Sequence, residues 1–235
     1  MTCIKWYAKY LWDCAYLDAK RAFLSLLELK TDACLLDLGS DIGDFTMEIA
    51  ERIGTRKVLG IDCVEERLEK AKEKGIHILK SDLNKVFPLE SETVDVITAN
   101  QVIEHLYDID NFSTEIFRVL KPGGYAIVST ENLASWHNIF SLVFGYQPFS
   151  LTNISKRNIG NPLALHHGEE PTVPISFGHI KIFAYEALIE LFKLSGFTIE
   201  KVVGSGYYPL PRGVGQFISR FDPRHAAFLT VKVRK

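Results

Sequence analysis

Apolar residues along the first 130 positions follow two alternating rhythms. "ACLLDLG" (33–39) is a short continuous apolar run closed by an acid and a glycine, which predicts a buried strand. Ile42, Phe45, Ile49 and Ile53 then recur at helical spacing around Gly43. "KVLGID" (57–62) predicts a second strand. Val64, Leu68 and Ala71 make one apolar stripe among Glu and Lys, with Gly75 placed to end that helix. "GIHILKSD" (75–82) and "TVDVITAN" (93–100) predict the third and fourth strands, and Ile109, Phe112, Ile116 and Val119 the buried face of the next helix. "KPGG" (121–124) breaks that helix before a fifth strand, "YAIVSTEN" (125–132). Strands rich in Val, Ile and Leu that alternate with amphipathic helices predict βαβ units and a doubly wound, mostly parallel sheet.

Beyond residue 130 the rhythm is lost. Residues 131–180 are rich in aromatics and histidines, carry scattered Pro and Gly, and show no period. A long irregular segment in a compact protein is commonly a lid or binding loop. "AYEALIELFKLSG" (184–196) predicts one more helix, and "FTIEKVVG" (197–204) and "FLTVKVRK" (228–235) two closing strands. The last alternates Leu229, Val231 and Val233 with Thr230, Lys232 and Arg234, as expected of an antiparallel strand with one solvated face. The first 30 residues read as a helical cap carrying Trp6, Tyr7, Tyr10, Trp12 and Tyr16, with core packing the expected use of most of these rings; the aromatic run "SWHNIFSLVFGYQPF" is expected to cover the sheet edge, with a pocket lining for an apolar or aromatic acceptor, or a membrane surface, as the alternatives.

The strand ends carry the chemistry. "LLDLGSDIGDFT" (35–46) runs from strand through a glycine-containing loop to a helix N-terminus, Asp62 ends the second strand, and Asp82 follows the third. In open α/β sheets ligands bind at these carboxyl ends. The loop lacks the G-x-x-x-x-G-K-[ST] of a phosphate loop and the G-x-G-x-x-G of a dinucleotide fold. Asp37 and Asp41 would also repel a pyrophosphate. A ligand with a sulfonium, an ammonium and no phosphate suits it, which points to S-adenosylmethionine.

"LLDLGSDIGDFT", "VLGID", "KSDLN", "VDVITANQVIEHL" and "VLKPGGYAIVST" occur in the order and spacing of the class I S-adenosylmethionine-dependent methyltransferases, and the chain resembles that family, in particular its type 11-like subgroup acting on small molecules. The resemblance implies a Rossmann-like α/β fold with seven strands, one of them antiparallel, in a single domain with a helical cap at 1–30 and an inserted lid at 131–180. It implies that Asp37, Gly39, Ser40, Asp41 and Gly43 frame the methionine part of the cofactor. Asp62 and Cys63 would lie at the ribose, Asp82 and Leu83 at the adenine, and Asn100 and Gln101 beside the sulfonium. Asp41 departs from the glycine more common at its position, but aspartate tolerates a left-handed backbone. His105 is the candidate general base, with a structural role as the alternative; His137, Tyr146 and His179 are candidates for the acceptor pocket. The implied reaction is methyl transfer to O, N or C of a small molecule with an apolar or aromatic part. A non-catalytic binding protein of the same fold and a protein-modifying methyltransferase are the alternatives.

Composition narrows the partners. The 235 residues carry a net charge of −2 and no basic block, so general nucleic-acid binding has no electrostatic support. The four cysteines form no C-x-x-C pair, the N-terminus has no signal-peptide h-region, and no apolar run reaches the length of a membrane span; a cytoplasmic location is expected. "HHGEE" (166–170) with His179 matches no metal-ligand spacing, so no metal is expected.

Overall fold

The computed structural model describes residues 3–170 and 178–235, with side chains from Lys5 onward; residues 171–177 of the expected lid lie outside the described residues. The chain divides into two compact units. One comprises Phe23–Ser129, Ile189–Lys201 and Val231–Lys235, the other Met1–Ala22, Thr130–Leu188 and Val202–Thr230.

Seven strands form one sheet: β1 (Cys34–Leu38), β2 (Lys57–Asp62), β3 (His77–Lys80), β4 (Val94–Asn100), β5 (Leu120–Glu131), β6 (Thr198–Ser205) and β7 (Phe228–Arg234), ordered β3-β2-β1-β4-β5-β7-β6. The ladders joining β1 to β5 are all parallel, with Leu36 opposite Leu59 on one side and Ile97 on the other. The order reverses between β1 and β4, which opens the crevice where such sheets bind ligands. Helices α1 (Cys3–Ser25), α2 (Asp44–Ile53), α3 (Glu65–Glu73), α4 (Ile109–Val119), α5 (Trp136–Val143), α6 (Tyr185–Leu194) and α7 (Arg212–Ser219) complete the fold. The apolar stripes read from the sequence are the buried ones: Ile49, Ile53, Phe112, Ile116 and Val119 have no exposed surface. Gly75, at φ +83, ends α3 as expected.

Four expectations are corrected. β5 begins at Leu120, so "KPGG" lies within the strand, and the register shift between Val94 and Val96 absorbs the extra residues. The insertion is not wholly irregular, since it contains α5. The polar positions of β7 are not solvated: Thr230 and Lys232 are buried. The Lys232 ammonium is enclosed by Glu28, by Glu200 at 3.3 Å and by the Tyr125 ring at 4.4 Å. The rings of α1 are not core: Trp6, Tyr7, Tyr10, Trp12 and Tyr16 are exposed and stack on one another, Trp12 on Tyr16 at 5.1 Å. Helix α7 has no counterpart in the sequence reading, because Gly213 and Gly215 weaken its helical signal.

Where the second unit lacks regular ladders, buried asparagines supply the hydrogen bonds that irregular backbone needs. Asn132 Nδ2 donates to the carbonyls of Arg224 and Ala226, both at 2.7 Å, while its Oδ1 accepts from Ala134. Asn138 donates to the Asn132 carbonyl and to Ser150, and Asn161 to Ser141 and the Gln147 carbonyl. All three are fully buried.

Candidate active site

In the first unit the ends of β1, β2 and β4 gather the strand-end residues. Asp37 is buried and inward-facing: Thr46 Oγ1 of α2 donates to it at 2.5 Å and Thr98 Oγ1 of β4 at 2.6 Å. Burial pushes its carboxyl up to about 6, against the pull of the two hydroxyls. Asp62 accepts from three backbone amides, Oδ1 from Cys63 at 2.7 Å and Val64 at 3.0 Å, and Oδ2 from Asp41 at 3.0 Å. One carboxylate thus fixes both the glycine-containing loop and the entry to α3.

The loop's backbone is left-handed at Gly39 (φ +73), Asp41 (φ 48) and Gly43 (φ +84). Gly39 donates to the Ile61 carbonyl at 2.8 Å, and a Cβ there would meet Val102 Cγ2 at 2.5 Å. The Asp41 side chain turns to Arg67 of α3, at 3.1 Å. Ser40 Oγ is buried with no hydrogen-bond partner among the described residues. Beyond β3, Asp82 is exposed and caps Asn84, whose Oδ1 in turn accepts from Tyr107 and Asp108; the neighbouring Leu83 is buried. At the end of β4 Asn100 accepts from Ser129 Oγ at 2.6 Å, and Gln101, at φ 56, donates its amide to the Ser129 carbonyl. Cys63 is exposed, and His105 is half-buried in the single helical turn Ile103–His105.

These residues suit a cationic, phosphate-free ligand. The strand ends carry Asp37, Asp41, Asp62 and Asp82, of which Asp37 is engaged inward by Thr46 and Thr98 and Asp41 by Arg67. The unpartnered hydroxyl of Ser40 leaves a polar group for a ligand to meet.

His137, Tyr146 and His179 belong to the second unit, where all three line a cavity of about 640 Å³. Its walls include Tyr7 and Trp12 of α1, Phe140 of α5, and Tyr208. His179 Nδ1 lies 2.6 Å from the Ser150 carbonyl; because a carbonyl only accepts, that nitrogen carries the proton. Burial pushes His137 down to about 3, so it is neutral at physiological pH. Within "HHGEE", His166 pairs with Glu169 at 2.8 Å, both exposed. The sequence reading missed Tyr208, which shows no periodic or motif signal, and the part Tyr7 and Trp12 play in this wall.

A seven-stranded sheet reversing between β1 and β4, with acids at successive strand ends, is the Rossmann-like α/β arrangement expected from the sequence. Residues 36–128 match the family model described as "Methyltransferase domain". It is 27% identical over 184 residues to the human mitochondrial ubiquinone biosynthesis O-methyltransferase, covering 74% of this chain and 44% of that protein. It is 34% identical over 125 residues to the demethylmenaquinone methyltransferase of Lactococcus lactis, covering 48% of this chain and 49% of that one. The chain thus spans less than half the length of these curated relatives. Among solved structures it resembles an S-adenosylmethionine-dependent methyltransferase of Thermotoga maritima, described as a possible histamine N-methyltransferase, at a TM-score of 0.63 and 21% identity, covering 96% and 91% of the two chains. At that identity the likeness is one of fold. No helix among the described residues is long and apolar enough to cross a membrane.

Proposed function

We propose that this protein binds S-adenosylmethionine at the ends of β1 to β4 and transfers its methyl group to a small molecule with an apolar ring. The observation carrying this reading is the set of strand-end carboxylates around a left-handed glycine loop, with the nearby Arg67 already paired. The bound cofactor supplies an electrophilic methyl on a positively charged sulfur. The chain would supply placement: Asp62 holds the loop and would meet the ribose, Asp82 and Leu83 would border the adenine, and the Gly39–Gly43 backbone, Asn100 and Gln101 would frame the methionine end. Holding donor and acceptor in line is worth about 7–11 kcal/mol of barrier. His105 is the candidate to take the proton from an acidic acceptor, a contribution of roughly 10²–10⁴-fold.

The acceptor reading rests on the ring-lined cavity that contains His137, Tyr146 and His179. Two relatives named for ubiquinone biosynthesis and demethylmenaquinone support an acceptor of ring type. Free Cys14, Cys34 and Cys63 support a reducing, cytoplasmic setting. The test is calorimetry with S-adenosylmethionine and S-adenosylhomocysteine, followed by assay of S-adenosylhomocysteine release with a panel of ring acceptors. Saturable binding and release with at least one acceptor are expected. Folded protein that binds neither nucleoside overturns the reading.

A further inference from the structure

A helix at a protein surface ordinarily turns its apolar side inward and its polar side to water. In the second unit, α5 and α7 do the reverse. α5 buries Asn138 and Ser141, whose side chains donate to Ser150 and to the carbonyls of Asn132 and His137. Its outward face carries Trp136, Phe140, Val143 and, at its end, Phe144, the last two 71% and 72% exposed. α7 buries Gly215 and Ser219 and presents Val214, Phe217 and, just beyond its end, Phe221. The two phenylalanines are 61% and 76% exposed, and their ring centroids lie 5.2 Å apart. Clustered apolar exposure of this kind marks a contact surface.

The two faces are held together. Trp136 Nε1 donates to Tyr207 Oη at 2.8 Å, and Tyr207 donates to Asp222 in the turn after α7. His225 Nδ1 lies 2.8 Å from the same carboxylate, and its ring stacks on Trp136 with centroids 4.7 Å apart. The surface also runs into the cavity of this unit, because Phe140, Phe144, Tyr146 and Leu163 are exposed and line it.

Charge decides what covers the surface. The second unit carries ten Lys and Arg against seven Asp and Glu, a net charge of +3; since the chain totals −2, the first unit carries −5. Residues 132–168 contain no acid at all. Arg220 stands between Phe217 and Phe221, exposed and without an ion pair among the described residues. α5 itself has no Lys or Arg, and α7 with its flanks supplies Arg212, Arg220 and Arg224. A second copy of the chain would set positive against positive. An anionic bilayer offers both the opposite charge and an apolar layer for the rings.

We propose that the second unit docks on an anionic lipid bilayer through the α5–α7 face, with the cavity mouth at the lipid surface. The docking stands apart from the methyltransferase reading. Only its consequence, that an apolar acceptor reaches the cavity from the lipid, rests on that reading.

The test is cosedimentation of the full chain, without cofactor, with vesicles of about 70% phosphatidylcholine and about 30% phosphatidylglycerol. Binding is expected, and should be about tenfold weaker on vesicles of phosphatidylcholine alone. Joint substitution Phe217→Ser and Phe221→Ser should lower the partition at least about tenfold, and Val143→Ser about threefold. Arg220→Glu should lower it about fivefold on the anionic vesicles and leave the neutral ones unchanged. Leu194→Ser removes an apolar side chain that is 87% exposed in the first unit and should bind as the parent does. Each replaced side chain is exposed, so thermal melting should show every variant folded. Absence of cosedimentation, equal binding to both vesicle types, or undiminished binding in the Phe217/Phe221 variant overturns the proposal. So does an equal loss in Leu194→Ser. A parent dimer that the Phe217/Phe221 substitutions dissociate in sedimentation equilibrium would also overturn it, because a second copy would then cover the face. A failure to bind S-adenosylmethionine would count against the methyltransferase reading and leave vesicle binding unaltered.

Discussion

At the strand ends, Asp37 and Asp62 accept five hydrogen bonds between them, two from threonine hydroxyls and three from backbone amides. In the second unit, His137 Nδ1 and Tyr208 Oη are buried and form no hydrogen bond with any described residue. The first region is a frame whose carboxylates fix the loop before any ligand arrives. The second leaves those two atoms unpaired and surrounds them with rings. Under the proposed function, the first region would receive the cofactor and the second the acceptor. A rigid frame suits the first task, because an ordered loop has less entropy to lose on binding.

The sharpest way to break the contrast is to remove the carboxylate that ties the frame together. Asp62→Ala leaves the amides of Asp41, Cys63 and Val64 without their acceptor. At about 1.5–3 kcal/mol for each hydrogen bond to a charged group, a combined loss of about 3 kcal/mol or more is expected. Affinity for S-adenosylmethionine should fall at least about a hundredfold, read by calorimetry on protein whose fold is checked by circular dichroism. A variant that binds within a few-fold of the parent would show that Asp62 does not hold the loop.

A second test addresses Asp37, whose folded pKa of about 6 lies above the unfolded carboxylate value near 4. The fold therefore holds that proton more tightly than the unfolded chain does. Its contribution to stability is complete below about pH 4 and is lost as pH rises through about 6, a fall of about 2–3 kcal/mol. Asp37→Asn, which cannot ionise, should remove that component. The stability difference between variant and parent, from urea melts across pH 4–7, should shift in favour of the variant as pH rises. A difference constant across the range would mean that Asp37 is not held protonated by burial.

The two regions also differ in how far the sequence exposes them. The strand-end site is legible because each part is local: an apolar run carrying an acid at or near its end, repeated at β1 and β2 within thirty residues, with glycines following the first. The cavity is not, since Tyr208 lies 71 positions from His137 and neither carries a periodic signal. Alternation misled at β7 for a similar reason. Lys232 looks solvent-facing beside Val231 and Val233, yet its partner Glu28 stands 204 positions away. Helix α7 was hidden by glycines whose helical cost tertiary packing overrides, with Gly215 and Ser219 both buried. Even within the legible site the motif gave position rather than posture. Asp37 faces inward to two threonines, a role the family resemblance did not imply.

Gly39 tests whether the loop is held by backbone shape as well as by Asp62. Its φ of +73 and the 2.5 Å approach of Val102 Cγ2 to an added Cβ both oppose a side chain. Gly39→Ala should cost about 2 kcal/mol in urea denaturation, from left-handed strain and overlap together. Adding Val102→Ala should restore the overlap component only, apart from the cost that Val102→Ala carries alone, so a double-mutant cycle should show coupling. Additive effects would place the strain elsewhere.

The smallest effect concerns Asp41, where aspartate stands at a position that favours glycine. Its φ of 48 is strained for a residue with a Cβ, and its carboxylate is turned aside to Arg67. The ion pair is about half exposed on the Asp41 side and contributes roughly 0–1 kcal/mol. Relief of the backbone strain is of similar size and opposite sign. Asp41→Gly should therefore change stability by less than about 1 kcal/mol. Asp41→Ala, which loses the pair and keeps the strain, should be the less stable of the two variants. Because the side chain points to α3 and the Asp41 amide remains available to Asp62 in either variant, S-adenosylmethionine affinity should move by less than about fivefold in Asp41→Gly. A larger loss would make the carboxylate of Asp41 a direct ligand contact and Arg67 its competitor, which would leave the frame less complete than its hydrogen bonds indicate.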